Sequence, residues 1–256
     1  MYLPSFDLTD KTALVTGAGR GIGRALAIGL AEAGANVAIV ARTPSDLEEV
    51  AAEIRKLGRR AYTVTADLTK KDDVERIVRS VVDQAGSLDI LVNNAGMNIR
   101  SKALDVTEDE WETIMQTNLK SAFLLSQAAA KEMKESGGGR IINIASVGGA
   151  VALRTGVVYG ASKAALMHMT RILSLEWAQY GIRVNAIGPW YFKTPLTEKL
   201  LNDPQYLGEI LDRTPMKRVG ELPDLVGPTV FLASDASNYV TGQVLLVDGG
   251  MSVYGF

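Results

Sequence analysis

The sequence predicts an α/β fold in three layers, a doubly wound parallel sheet of seven strands with helices on both faces. Three observations carry this. Short apolar, β-branched runs alternate with helix-period stretches along the chain. Most of those runs are apolar on both faces, as strands covered from either side must be. Gly34, Gly58, Gly86 and Gly181 each fall just past a helical stretch and before a strand, where a helix C-terminus needs positive φ.

In order, TALVT at 12–16 is the first strand, and the helix over 22–33 stops at Gly34. NVAIVA at 36–41 precedes a helix over 44–57 that Gly58 ends, and AYTVT at 61–65 precedes one over 71–85 that Gly86 ends. DILVN at 89–93 leads to a long helix over 108–134. RIINIA at 140–145 is followed by a helix over 157–180, stopped by Gly181. IRVNAI at 182–187, a helix over 223–233 and QVLLV at 243–247 complete the pattern. Connections are short except around 188–212, and no repeat, low-complexity tract or linker divides the chain, so residues 1–256 read as one domain. Such sheets take ligands at the carboxyl ends of their strands.

Composition removes several functions. With 27 Lys+Arg against 29 Asp+Glu, the net charge of -2 offers no broad positive field, so no nucleic acid partner is expected. The absence of Cys excludes disulfides, thiolate zinc sites, iron–sulfur clusters and thiol nucleophiles. The single His168 excludes sites with two His ligands, and no metal is expected. The longest uncharged stretch, 141–153, is too short for a membrane span and contains Gly148 and Gly149. The start, MYLPSFDLTDK, lacks the basic end and apolar run of a signal peptide, which leaves the cytoplasm as the expected location and no membrane partner.

The chemistry lies after the strands. TGAGRGIG at 16–23 leads straight into a helix, so backbone around Gly17, Gly21 and Gly23 can approach a pyrophosphate at a helix N-terminus. Its spacing departs from G-x-G-x-x-G, and a turn whose glycines only pack would look the same. The second strand ends in Ala41-Arg42-Thr43, without the acid that binds an NAD ribose. Arg42 and Arg20 could bracket a 2′-phosphate, which favours NADP(H); two solvated arginines are the alternative. Asp67 and Leu68 follow the third strand, and Asn93-Asn94-Ala95-Gly96 the fourth. Ala95 and Gly96 would let a flat ring lie on backbone, whereas Asp67 would equally serve near a helix N-cap and Asn94 as a bridge between strands. Ser146 follows the fifth strand. Tyr159 and Lys163, at i and i+4, share a helix face. An ammonium about 5 Å from the phenol favours phenolate by roughly 2 pKa units at a dielectric of ~20, enough for acid/base chemistry without His.

Jointly, TGAGRGIG, NNAG at 93–96, Asn118, Ser146 and Y-x-x-x-K resemble, in order and spacing, the short-chain dehydrogenase/reductase family over all but the first few residues. The resemblance implies a Rossmann fold and a catalytic tetrad of Asn118, Ser146, Tyr159 and Lys163. Tyr159 would exchange a proton with the substrate oxygen that Ser146 holds. Lys163 would bind the nicotinamide ribose, and Asn118 would support a proton path from Lys163. It also implies that Ile22 meets the pyrophosphate, Asp67 and Leu68 the adenine, and Asn94 to Gly96 the adenosine ribose. Pro189, Phe192 and Thr194 would lie near the nicotinamide, Phe192 through its backbone.

Pro189 is followed by Trp190 where the family usually has Gly, so backbone or pocket wall should differ there. The long segment at about 188–215 reads as an irregular substrate lid. Asn98-Ile99-Arg100, the stretch 191–194 and Arg213-Thr214-Pro215 resemble gluconate 5-dehydrogenases, which points to a small polar ketone or sugar acid. Asn98, Arg100, Arg154, Trp190 and Lys193 are the candidate substrate contacts. The 3-oxoacyl-[acyl-carrier-protein] reductases share most of these features and are the alternative, and a silent NADP-binding sensor or scaffold is a third. The resemblance implies a homotetramer joined through the helices at 108–134 and 157–180, and His168 reads as a packing or interface residue.

Overall fold

A computed structural model of the chain describes residues 2–254. Its strands are β1 (Thr12–Thr16), β2 (Asn36–Ala41), β3 (Ala61–Thr65), β4 (Ile90–Asn93), β5 (Gly139–Ile144), β6 (Ile182–Pro189) and β7 (Val244–Val247). They form one parallel sheet in the order β3-β2-β1-β4-β5-β6-β7. The order reverses between β1 and β4, which opens a crevice at their carboxyl ends.

Side-chain alternation builds the layers. Ala13 and Val15 point into one core with Leu26 and Leu30 of α1 (Gly21–Glu32), Leu47 and Val50 of α2 (Pro44–Lys56), and Leu225 and Leu232 of α9 (Pro223–Ala233). Leu14 points the other way, into a core with Ile77 and Val81 of α3 (Lys71–Ala85), Leu125 and Met133 of α5 (Ser121–Glu135), and Leu173 of α6 (Val157–Trp177). The period-2 strand thus feeds both helical layers. All four expected stop glycines have positive φ: Gly34 at 114°, Gly58 at 75°, Gly86 at 84° and Gly181 at 74°.

Three differences from the sequence reading bear on function. The stretch 108–134 is not one regular helix: α4 (Glu108–Met115) passes through a π-turn at Gln116–Lys120 into α5, which re-aims Asn118. The 188–215 segment is not irregular. It holds α7 (Glu198–Leu201) and α8 (Pro204–Asp212), because the Asp203 carboxylate caps the Gln205 and Tyr206 amides, Pro204 suits the first turn, and Ile210 packs with Tyr191 and Val219. Finally, β6 continues to Pro189, which pairs with Val247, and Trp190 N–H donates to the Val247 carbonyl at 3.2 Å. Trp190 therefore continues the strand direction and is not in the left-handed region, so its Cβ meets no backbone penalty. No helix among the described residues is long and apolar enough to cross a membrane.

Candidate active site

The turn after β1 needs its glycines for two reasons. Gly17 and Gly21 have φ of 65° and 58°. A Cβ on Gly23 would lie 2.3 Å from the Gly17 carbonyl oxygen and 2.4 Å from Asn94 Nδ2, so only glycine lets α1 start this close to the turn. Asn94 is the strand bridge that its alternative reading offered: Nδ2 donates to the Thr16 carbonyl at 2.8 Å, while the Asn94 and Ala95 amides both donate to Thr16 Oγ1 at 3.1 Å. Thr16, not singled out from sequence, fixes the two sides of the crevice.

From this turn a cleft of about 720 Å³ runs along the carboxyl ends of the strands. One end is formed by Arg20, Arg42, Thr43, Asp67 and Leu68. The middle is formed by Gly17, Gly21, Ile22, Gly23 and the segment Asn94, Ala95, Gly96. The other end is formed by Ser146, Tyr159, Lys163, Pro189, Phe192 and Thr194. Every residue expected to touch a dinucleotide lines this one cleft. Arg20 and Arg42 are exposed and make no ion pair among the described residues. Asp67 is held below the usual carboxylate range, first by the Thr69 amide, with Arg42 adding a smaller pull. Asp46, in the first turn of α2, also lines the cleft; its acid lies after a helix start rather than at a strand end, the place of a ribose-binding acid.

At the far end, the i,i+4 spacing brings Lys163 Nζ to 5.8 Å from the Tyr159 ring centre. Lys163 is buried, donates to the Ile144 carbonyl at 2.8 Å, and has its ammonium pushed by burial from 10.5 down to about 8. Burial also pushes the Tyr159 phenol up, while a hydrogen bond from Ser146 and the Arg100 charge pull it down. Burial is thus the dominant influence on the Tyr159 phenol. In a dry site both charged forms lose hydration, which raises the phenol and lowers the ammonium. Ser146 is the N-cap of a short turn, its Oγ accepting from the Gly148 amide at 3.1 Å.

Asn118 does not line the cleft; it is 1% exposed. Its amide accepts from the Met97 N–H at 2.8 Å and donates to the Met97 carbonyl at 2.9 Å and to Ser162 Oγ at 3.1 Å. Ser162 in turn donates to the Tyr159 carbonyl at 2.8 Å. Asn118 thus ties the post-β4 loop to the Tyr159 helix. It still belongs to the cluster, since a Cβ on Gly96 would sit 3.3 Å from Asn118 Oδ1 and 3.4 Å from Lys163 Nζ.

The substrate candidates separate. Asn98 donates to the Thr155 carbonyl at 2.8 Å, a loop-to-loop tie. Arg154 is paired with Glu209 and stacked on Tyr206, and Lys193 is paired with Glu221 at 3.2 Å. Each of these three side chains thus has a polar partner within the chain, and none of them lines the cleft. Arg100 has no acid partner among the described residues. Its guanidinium donates to the Tyr206 hydroxyl at 3.2 Å, and that hydroxyl is 2.6 Å from the Tyr191 hydroxyl. Neither tyrosine stood out in the sequence, because their meeting depends on α8, read there as loop. Trp190 lines the cleft, and its Nε1–H donates to Thr214 Oγ1 at 3.1 Å. His168 is exposed on α6, away from Lys163, and so does not pack within the chain.

The family described as Enoyl-(Acyl carrier protein) reductase matches residues 17–252. A 2-dehydro-3-deoxy-D-gluconate 5-dehydrogenase of Escherichia coli (strain K12) is 45% identical over 254 residues, 98% of each chain. The chain belongs to the short-chain dehydrogenase/reductase family. It is an oxidoreductase that interconverts carbonyl and hydroxyl groups. Among other family members, an NAD-dependent glycerol dehydrogenase of Listeria innocua is 39% identical over 249 residues, 97% of this chain and 96% of that one. The crystal structure of a gluconate 5-dehydrogenase from Burkholderia cenocepacia in complex with NADP and tartrate aligns with a TM-score of 0.95 at 38% identity, covering 99% of this chain and 100% of the other. Seven parallel strands and a Rossmann crevice are what this family membership and the sheet order give together.

Proposed function

We propose that this short-chain dehydrogenase/reductase is NADP(H)-dependent and acts on a small polar ketone, a sugar acid being the best fit, with Tyr159 as general acid/base. The observation that carries the reading is the convergence of Ser146, Tyr159 and Lys163 at one end of a dinucleotide-sized cleft whose other end is lined by Arg20 and Arg42. The glycine turn fits a pyrophosphate, since added Cβ atoms would fill the space at Gly23 and strain the backbone at Gly17 and Gly21. When bound, the nicotinamide supplies or accepts the hydride. Ser146 Oγ and the Tyr159 hydroxyl hold the substrate oxygen, and Tyr159 gives that oxygen its proton in reduction and takes it back in oxidation. Lys163 holds the nicotinamide ribose and Asn118 positions the loop beneath it. Two exposed guanidiniums without carboxylate partners suit the 2′-phosphate, and NADP is bound by the Burkholderia enzyme.

Arg100 supports the acid part of the reading. Its guanidinium is held by phenols, has no acid partner among the described residues and is near enough to Tyr159 to influence its titration, and its remaining donors suit a substrate carboxylate. The 188–215 segment acts as the lid over that substrate. The exposed apolar side chains Trp111, Phe123, Ile172 and Leu175, on α4, α5 and α6, suit the homotetramer interface.

The test is NADPH and NADH oxidation by purified enzyme with 5-keto-D-gluconate, 2-dehydro-3-deoxy-D-gluconate oxidation products, simple diketones and acyl thioesters. Turnover of sugar acids or small ketones with NADPH preferred is expected. Absence of turnover across the panel would leave a binding protein instead, and preference for thioesters would move the substrate class to carrier-bound chains.

A further inference from the structure

A second cavity, about 220 Å³, lies beside the catalytic cleft, and Trp190 and Phe192 line both. Three contacts fix the indole between them. Its Nε1–H donates to Thr214 Oγ1 at 3.1 Å, and Thr214, 1% exposed, is itself anchored by donating to the Ile210 carbonyl at 2.7 Å. Its face meets Tyr191 edge-on, ring centres 4.7 Å apart. Its backbone amide is bonded to Val247 at the end of β7. Phe192 is equally confined, since a Cβ on Gly220 would lie 2.4 Å from its ring.

Beyond the indole the walls of the second cavity are mostly apolar, with Arg218, Asp224 and Asp248 among them. Met216, Val247 and Gly249 supply apolar surface. Its charges are already matched: Arg218 holds Asp224 through two bonds of 2.6 and 3.1 Å, and Asp248 accepts from the Gly250 and Ser252 amides. Such a space suits an alkyl extension laid along its apolar walls.

We propose that Trp190 is a specificity-determining partition: it closes the catalytic cleft against an apolar annex and thereby limits the enzyme to compact carbonyl substrates. The proposal rests on the reading that the carbonyl binds at Ser146 and Tyr159. Removing the ring joins the two spaces and admits a longer apolar substituent.

The experiment measures kcat/KM with NADPH for alkyl acetoacetates from methyl to octyl, beside 5-keto-D-gluconate. In the wild type the octyl-to-methyl ratio is low. In Trp190→Gly it rises about tenfold or more, several methylenes being placed in an apolar pocket. Adding Met216→Trp to Trp190→Gly refills the annex and returns the ratio toward the wild-type value. Trp190→Leu, which keeps apolar packing in the lid but not the ring, gives an intermediate rise and serves if Trp190→Gly does not fold. An unchanged ratio in folded Trp190→Gly and Trp190→Leu, with lowered melting temperatures, overturns the proposal and leaves Trp190 as lid packing. If the wild type reduces neither sugar acids nor acetoacetates, it is the substrate reading that fails. A crystal structure of Trp190→Gly then decides the partition by itself: one continuous space supports it, and two separate ones refute it.

Discussion

Tyr159 and Phe at that position would differ by the one hydroxyl that is assigned to proton exchange with the substrate. Tyr159→Phe is expected to lower kcat by at least about a hundredfold, the lower range for positioned acid/base groups, with the dissociation constant for NADPH changed by no more than a few fold. Turnover and cofactor fluorescence titration check the two halves separately. At the other end of the cleft, Arg42→Asp removes one charge-assisted contact worth about 1.5–3 kcal/mol and adds a repulsive charge. The ratio of kcat/KM for NADP over NAD should therefore fall by more than about tenfold and invert. A wild-type enzyme already faster with NAD would contradict the roles given to Arg20 and Arg42. Arg20, Tyr159 and Lys163 stand in local patterns, a turn of eight residues and a pair at i and i+4, while Arg42 is marked by its place just after the second strand. The ion partners of Arg154 and Lys193 were hidden for the opposite reason. Glu209 and Glu221, which neutralise them, lie 55 and 28 positions away, and no local pattern announces such pairs. The burial that shifts Tyr159 and Lys163 was hidden likewise, since it is set by the whole fold.

Helices were readable where an amphipathic stripe met a stop glycine, and α3 was read to its end residues for that reason. The π-turn at Gln116–Lys120 was not, since one extra residue in a helical turn leaves the apolar spacing almost intact while rotating Asn118 onto Met97 and Ser162. The α8 helix was hidden inside the segment read as an irregular lid, although its Asp203-Pro204 start is a good helix N-terminus. Interhelical distance was likewise hidden. Gly29 of α1 faces α9 so closely that a Cβ would lie 2.3 Å from Val226 Cγ1. Gly29→Ala gains up to about 1 kcal/mol of helix propensity but loses about 1–3 kcal/mol to overpacking. The expected net result is a melting temperature lower by a few degrees. Val226→Ala in the same chain should recover the loss, giving a positive coupling in a double-mutant cycle followed by thermal unfolding. A Gly29→Ala protein as stable as wild type would show that α9 yields at no cost.

At the scale of the molecule, seven parallel strands direct their carboxyl ends to one rim, and the sheet sets Lys163 beneath that rim with only the Ile144 carbonyl for a partner. The fold thus carries a buried cation in the protein without cofactor, and global stability must register it. Lys163 titrates at about 8 when folded and at 10.5 ordinarily. Below pH 8 both states hold the proton, and the folded state bears the full cost of a buried ammonium. Between about 8 and 10.5 the unfolded chain holds a proton that the folded chain has released, so stability rises with pH across that window. The shift corresponds to roughly 3 kcal/mol. Lys163→Met has no such cost, but leaves the Ile144 carbonyl without its donor, a loss of about 1 kcal/mol. At pH 7 the variant should accordingly be more stable than wild type by about 2 kcal/mol, and inactive. By pH 10 the advantage should be largely gone. Urea unfolding of both proteins at pH 7, 8.5 and 10, at one protein concentration, measures the difference, in which the titration of all other groups cancels. A gap that stays constant with pH would mean that Lys163 keeps an ordinary affinity for its proton, and the burial of its charge would then play no part in tuning the site.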